Sequence, residues 1–433
     1  MVTRQNGTRS DVHVAGRNMD IHHGLNGGRS VAVTRHDGSR VVAYRGGHGY
    51  VERGYHYGGR EYDRRSYYYG GRYYNSYYRG YYYGGAYMNV YAPAYYYNPY
   101  FYGWAYNPWP APVVYGWGWG GSPWYGYYGA YWNPYPSYPS AAFWLTDYLV
   151  SQSLQAAYAE QAQENATALA AGAAPMTADV KQMVADEVKR QLALENQEAQ
   201  ANAQKQEIDP AGSSIARMLS DNQTHVFIAG SSLDVVQNSG AECAISQGDV
   251  LEVTAAPPAD ASAATATVLC SKGGKECPKS AQVQVAFTDL QEMQNHMRQT
   301  IDQGLGDLQA KQGQNGLPAA PPSAKAAPVQ SDYAAAAPPP ETNVSQEIQQ
   351  ETQQADQAEQ EVAKEVPPPA PGEAPATAAP SAGPVTVAQG QTVDQVTAQL
   401  GQPQKVVDLG SKKIYVYQDM KVTFKGGKVS DVQ

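Results

Sequence analysis

Between residues 27 and 90 the chain is punctuated by paired turn residues, and their spacing constrains the fold more than any other feature. They are Gly27-Gly28, Asp37-Gly38, Gly46-Gly47, Gly58-Gly59, Gly70-Gly71 and Gly84-Gly85, at intervals of 9 to 14 residues. Such pairs supply the positive φ that two-residue hairpin loops require, and the Val, Tyr and Thr runs between them suit strands. The unit recurs as YHYGGREY (55–62), YYYGGRYY (67–74) and YYYGGAYM (81–88). This repetition predicts an antiparallel β-meander over residues 1–90. The rival expectation is a disordered arm. Glycine at this density raises the entropy lost on folding, and Tyr67-Tyr68-Tyr69 puts rings on both faces of a strand.

Composition enters because it divides the chain. Residues 1–140 hold 30 of the 35 Tyr, six of the seven Trp, 13 Arg and no Lys; their net charge is +7 against −16 for the remainder. An arginine and tyrosine arm of this kind attracts aromatic or anionic partners, and the acidic remainder keeps the chain soluble. Within it, residues 91–140 carry Asn-Pro at 98–99, 107–108 and 133–134 and the related nonamers YGWAYNPWP (102–110) and YGAYWNPYP (128–136). Proline argues against a central strand, so turns and extended segments with projecting rings are expected. The residues expected to make contacts are Tyr68, Arg72, Tyr82, Trp104, Trp109, Trp117 and Trp119.

The rest of the chain reads as a multi-domain mosaic. Residues 141–208 form a helical segment, with Leu145, Leu149 and Leu154 on one stripe and Val180, Val184, Val188 and Leu192 on another; beyond Leu194 the pattern is polar all round. Residues 213–312 suggest a small β-barrel with a C-terminal helix: six short strand-like runs, then Thr288 and Gln291 as a capping box ahead of Leu290, Met293, Met297, Ile301, Leu305 and Leu308. Residues 313–384 hold 14 of the 29 prolines and read as a Pro/Ala/Gln-rich linker with a transiently helical centre.

Order returns in residues 385–433, where Thr392 caps a short helix ended by Gly401 and Pro403, and strands follow at KVVDL, KIYVYQ and KVTFK. The run GQTVDQVTAQLGQP, followed by strands ending in V-x-F-x-x-G-K-V, resembles the SmpA/OmlA-type (BamE-like) envelope lipoprotein domain of bacteria. The resemblance rests on Gly390, Thr392, Val396, Leu400, Gly401, Pro403, Phe424, Gly427, Lys428 and Val429. It implies a small α+β domain acting as an interaction scaffold of the cell envelope.

Three cysteines are present, and the SKGGKE segment between Cys270 and Cys277 could turn to bring those two within bridging distance. The alternative is three buried thiols. A bridge implies an oxidising, extracytoplasmic compartment. The first residues lack the apolar core of a signal peptide, and no window is apolar enough for a spanning helix.

Chemistry is sparse: no G-x-S-x-G elbow, Walker A run or HExxH occurs. Asp20 near His22-His23 is a weak metal grouping, and surface histidines on turns are the plainer reading. The expectation is a structural or interaction protein, not an enzyme, with no cofactor, metal or small-molecule substrate, that binds protein partners or itself. The first alternative is nucleic-acid binding or condensation through the Arg/Gly/Tyr arm. The second is a matrix or coat whose tyrosines cross-link.

Overall fold

The computed structural model describes residues 2–3, 9–69, 72–161, 169, 171–258, 261–365, 391–393, 396–397, 405–408, 412–416, 421–425 and 428–432. The first third is the expected meander. Strands β1 (Val2–Thr3), β2 (Arg9–Val14), β3 (Met19–His23), β4 (Arg29–Thr34), β5 (Arg40–Tyr44), β6 (Gly49–Tyr57), β7 (Arg60–Tyr69), β8 (Arg72–Tyr83) and β9 (Ala86–Ala92) pair in chain order. At the β6–β7 and β8–β9 tips both turn glycines have positive φ, 57° and 77° at Gly58-Gly59 and 58° and 78° at Gly84-Gly85. This is the mirror-image turn whose twist matches that of the strands.

The sheet has two unlike faces. On one, Val12, Ile21, Val31, Val33, Val41 and Val51 form a buried aliphatic layer. On the other, the long strands β6 to β9 present tyrosines, carboxylates and Arg65.

The tyrosine and tryptophan segment that follows is folded inward. After β10 (Tyr95–Tyr96) come helices α1 (Pro99–Tyr106) and α2 (Pro123–Tyr128). Asn98 caps α1, its side chain accepting from the Phe101 amide at 3.0 Å, with Pro99 in the first turn. The Asn-Pro pair there starts a helix: an N-cap oxygen satisfies a free amide, and proline costs nothing at a position whose amide has no helical acceptor. The expectation of projecting rings holds for Tyr100 and Tyr106, which stay exposed, and is overturned for the tryptophans of the core. Trp132 is 1% exposed and Trp109 6%, and both sit in a core with Tyr102, Tyr128, Tyr131 and Tyr138.

Two long helices complete that core, α3 (Ala141–Gln161) and α4 (Ala178–Ala203). Thr177 caps α4 by accepting from the Val180 amide at 3.4 Å. The stretch of α4 read as polar all round buries Glu195 and Glu198, which meet Tyr102 and Arg298 in the interior.

After α5 (Ile215–Ser220) the six expected strands appear as β11 (His225–Ile228), β12 (Leu233–Gln237), β13 (Glu242–Ile245), β14 (Val250–Val253), β15 (Ala263–Cys270) and β16 (Gln282–Ala286). Their order is β11-β14-β15-β16-β12-β13, and among the described residues no ladder joins β11 to β13. The barrel expectation gives way to an open sheet.

The sulfur pairing differs as well. Cys243 bonds Cys277 with 4.9 Å between Cα atoms, while Cys270 stays a buried thiol. The reason is a bulge. Val250 opposes Cys270 but Leu251 opposes Val268, so Leu269 is the extra residue and Cys270 turns into the helical core. Cys243 and Cys277 lie in the other core, with Val268.

Helix α6 (Phe287–Lys311) then crosses the molecule, packing on α3, β9 and β11. It covers the exposed edge of the meander. The Asn295 side chain accepts from the Tyr91 amide at 2.9 Å and donates to the Asn89 carbonyl at 2.7 Å, and Arg298 donates to the Tyr91 carbonyl at 3.1 Å. An edge whose backbone groups are satisfied in this way cannot recruit a further strand.

Over residues 313–365 the segment is packed and not a linker, although its centre is helical as expected; residues 366–384 lie outside the described residues. Strand β17 (Val329–Gln330) pairs with β10, helix α7 (Asp332–Ala335) puts Tyr333 on Tyr62 with ring centroids 5.0 Å apart, and α8 (Val344–Glu365) lies across the aliphatic face of the meander. Val344, Ile348 and Ala355 enter that layer. Each fully buried aliphatic chain contributes about 1.5–3 kcal/mol. Glutamates flanking this stripe meet the arginines: Glu351 meets Arg35 at 2.8 Å, Glu359 meets Arg29 at 2.7 Å, and Glu347 and Glu341 pair with Arg35 and Arg53. The opposite charges of the two chain segments thus meet within one molecule.

Near the C-terminus β18 (Lys405–Asp408), β19 (Lys412–Val416), β20 (Lys421–Lys425) and β21 (Lys428–Val432) form an antiparallel sheet in chain order. Val393, Val396 and Thr397 are helical, and Val396, Val422, Phe424 and Val429 are buried together.

Candidate binding cleft

Strand alternation builds the site. Cross-strand partners share a face, so Tyr50, Glu52 and Gly54 on β6 stand beside Tyr67, Arg65 and Asp63 on β7, and Tyr78, Tyr82, Tyr87 and Asn89 continue the same face on β8 and β9. Opposite stand Asp289, Glu292, His296 and Gln299 of α6, Gln152 and Glu160 of α3, and the Gly230–Ser232 turn. Between the two walls is a cleft of about 1190 Å³, larger than the ~300–1,000 Å³ usual for a small-molecule pocket.

Arg65 lies at its centre and is 3% exposed. Its guanidinium sits 4.2 Å from the Tyr78 ring centroid and 4.7 Å from that of Tyr50. It donates to Glu52 at 2.6 Å and, through both terminal nitrogens, to Glu292 at 2.7 and 2.8 Å. Burial works against the Arg65 charge, but the Glu292 carboxylate and the surrounding phenols outweigh it and hold the cation. Burial likewise opposes the Glu292 carboxylate, and Arg65 overcomes it, leaving that group below its ordinary value. Two rings and two carboxylates form a complete cage around one guanidinium.

Other groups in the cleft are compensated only in part, Asp63 by Arg65 and Asn89, and Asp289 by His22. Burial pushes the Asp63 carboxyl up to about 6, with Glu52 adding to the rise. Burial also pushes Asp289 up to about 6, with Glu292 adding. Among the described residues neither forms an ion pair. Desolvation drives His296 down to about 4, so its ring is neutral, and its Nε2 lies 2.9 Å from Ser153 Oγ. Tyr78 and Tyr87 are raised to about 12 by burial and remain protonated phenols.

At the β8–β9 end the ring of Tyr87 lies across Gly80, where any Cβ would strike it, and 4.9 Å from the ring of Tyr82. Only glycine at 80 lets that ring lie flat on the strand.

Of the described contact residues expected from sequence, Tyr82 is the most exposed, 73% at the cleft rim, with its ring against Tyr87. Tyr68 borders the cleft, lies tilted against Tyr73 at 5.0 Å and touches the aliphatic layer. Arg72 opens β8, and its side chain lies outside the described residues. Trp104 packs at a tilt against Trp109 at 5.5 Å, while Trp117 lies between Trp119 at 4.3 Å and Trp144 at 4.7 Å. These four belong to or line the helical core, not the cleft.

Arg65, Glu52, Glu292, Asp63 and Tyr87 were not foreseen. The available signal was alternation within the repeat, which places the charged and aromatic residues of β6 to β9 on a single face. Asp20, His22 and His23 do not converge: His13 pairs with Asp20, His22 with Asp11 and Asp234, and His23 with Glu359. Among the described residues no group of metal-ligating side chains is present, and no helix is long and apolar enough to cross a membrane.

Comparison with protein-family models, curated proteins and solved structures gives no match for this chain.

Proposed function

We propose that this protein is a non-catalytic binding protein of the bacterial cell envelope, acting outside the cytoplasm, and that it engages its partner in the cleft between the tyrosine face and α6. The observation that carries this reading is the cleft of about 1190 Å³ walled by tyrosines already held in place. Rigid rings with a polar tip lose little rotamer freedom on contact, and they dominate binding surfaces for that reason.

An oxidising location is supported by the Cys243–Cys277 bond. The C-terminal sheet supports a scaffold role: Val396, Phe424 and Val429, part of the SmpA/OmlA-type resemblance, form its small core. Nucleic-acid binding is the weaker reading, because Arg29, Arg35, Arg53 and Arg65 are already matched to carboxylates.

Hydrogen exchange of the intact protein, with and without a soluble extract of the bacterial envelope, tests the reading. Protection gained in β6 to β9 and α6, and abolished by Gly54→Phe, which fills the cleft floor, is the expected result. Unchanged exchange there, or protection indifferent to the substitution, would contradict it.

A further inference from the structure

The Arg65 cage shows how this cleft binds a cation, and its rim repeats the same parts without one. On the face that carries Arg65, one step toward the β8–β9 tip, stand Asp63 and Glu61 on β7 and the rings of Tyr82 and Tyr87 on β8 and β9. The rings are 4.9 Å apart at 64° to one another, and the Tyr87 phenol lies within the electrostatic reach of Asp63, Glu61 and Tyr82. Gly54, opposite Asp63, leaves the floor there without a side chain, and the Tyr87 ring covers Gly80. Among the described residues Glu61 meets the exposed His56 ring at 3.5 Å, and Asp63 has the Asn89 amide and the Arg65 charge beyond ion-pair distance. The Oδ1 atom of Asn89 is buried with no hydrogen-bond partner among the described residues, a further acceptor in the same wall.

Resting on the binding role given above, the geometry points to a second cation cage at the rim, formed by Asp63, Glu61, Tyr82 and Tyr87, that takes an alkylammonium or guanidinium group. Two features favour a cation over a neutral polyhydroxyl ligand. Rings offer their negative faces to a cation, as Tyr50 and Tyr78 do to Arg65. In addition, Asp63 is partly buried and forms no ion pair among the described residues, and the Arg65 charge only partly offsets its desolvation, a costly arrangement that a ligand cation relieves. The same chemistry could come from a free polyamine or from the basic side chain of a partner peptide.

Calorimetric titration of the full chain tests this with three probes: spermidine, a Gly-Arg-Gly peptide acetylated and amidated at its ends, and a neutral chito-oligosaccharide. The expected result is binding of at least one cationic probe, weakened about tenfold or more by Asp63→Asn and by Tyr87→Leu. Asp356→Asn, which removes an equal charge on the opposite side of the sheet, should leave it unchanged. The tighter of the two cationic probes then identifies the source. Since an amide replaces an unpaired carboxylate at position 63, that variant should keep or raise the melting temperature, so lost binding cannot be ascribed to unfolding. Binding of neither cation, equal weakening by Asp356→Asn, or preference for the oligosaccharide would each overturn the cation cage. If envelope extract still protects β6 to β9 in that case, the binding role stands and only the ligand class falls.

Discussion

The two faces of the meander solve the same electrostatic problem in opposite ways. On the aliphatic face, helix α8 delivers Glu347, Glu351 and Glu359 to Arg35 and Arg29, and Val344 and Ile348 to the valines beneath. Charge and apolar surface are closed together by one element. On the tyrosine face, α6 stands off across the cleft, Arg65 alone is caged, and Asp63 and Asp289 keep carboxyls that burial has raised to about 6. A face finished by its own chain is structural; a face left with desolvated, unpaired charge has given up stability that a ligand can restore.

Arg65→Ala would leave Glu52 and Glu292 buried without their cation, at a cost of about 3–5 kcal/mol in the denaturant midpoint. Ile348→Ala opens a cavity under α8 and should cost about 2–4 kcal/mol, read as lost exchange protection of α8 with the cleft wall unaffected.

A pH titration sharpens the open face further. His22 bridges β3 to Asp234 of the second sheet; burial opposes its charge, but Asp11 and Asp234 outweigh it and raise it to about 9. Its stabilising contribution is present in full below about 6.5 and is lost as pH rises through 9. About 1–2 kcal/mol should disappear between pH 7 and pH 10 after allowance for partial exposure, and His22→Gln should flatten the curve.

Asp63 has the opposite sign. Its raised carboxyl makes the folded state less stable above pH 6 than below it, so Asp63→Asn should stabilise by about 1 kcal/mol at pH 7 and by nothing near pH 4 in thermal melts. The smallest effect belongs to Asp356→Asn. It removes an exposed partner of Arg29, and the unfolding midpoint should move by less than ~0.5 kcal/mol.

The meander was legible because its turns and its period both speak: Gly58-Gly59 and Gly84-Gly85 carry the hairpin signal, and the strands follow at the expected length. The six strands of the second sheet were legible for the same reason. Four features were not. Asn98-Pro99 reads equally as a turn or as the start of a helix, and only the packing of Phe101 and Tyr102 decides it. The tryptophans of 104–132 looked like surface rings because no periodicity marks a core built from short helices and loops. Helix α8 is so polar that its sparse stripe of Val344, Ile348 and Ala355 resembles a linker until a valine sheet, Arg29 and Arg35 are set against it. Cys270 lies nearer to Cys277 in sequence than Cys243 does, and a one-residue bulge at Leu269 reverses that advantage. The rim cage was illegible for a related reason: Asp63, Tyr82 and Tyr87 acquire meaning only through register.

Hydrogen exchange of the intact chain, free and saturated with the better cationic probe, addresses the contrast between the faces most directly. Residues 344–365 should be protected to the same degree in both states, while residues 81–88 of the β8–β9 hairpin gain protection only with the probe. Exchange of 344–365 at the rate of an unstructured segment, or a hairpin unaffected by the probe, would contradict the account.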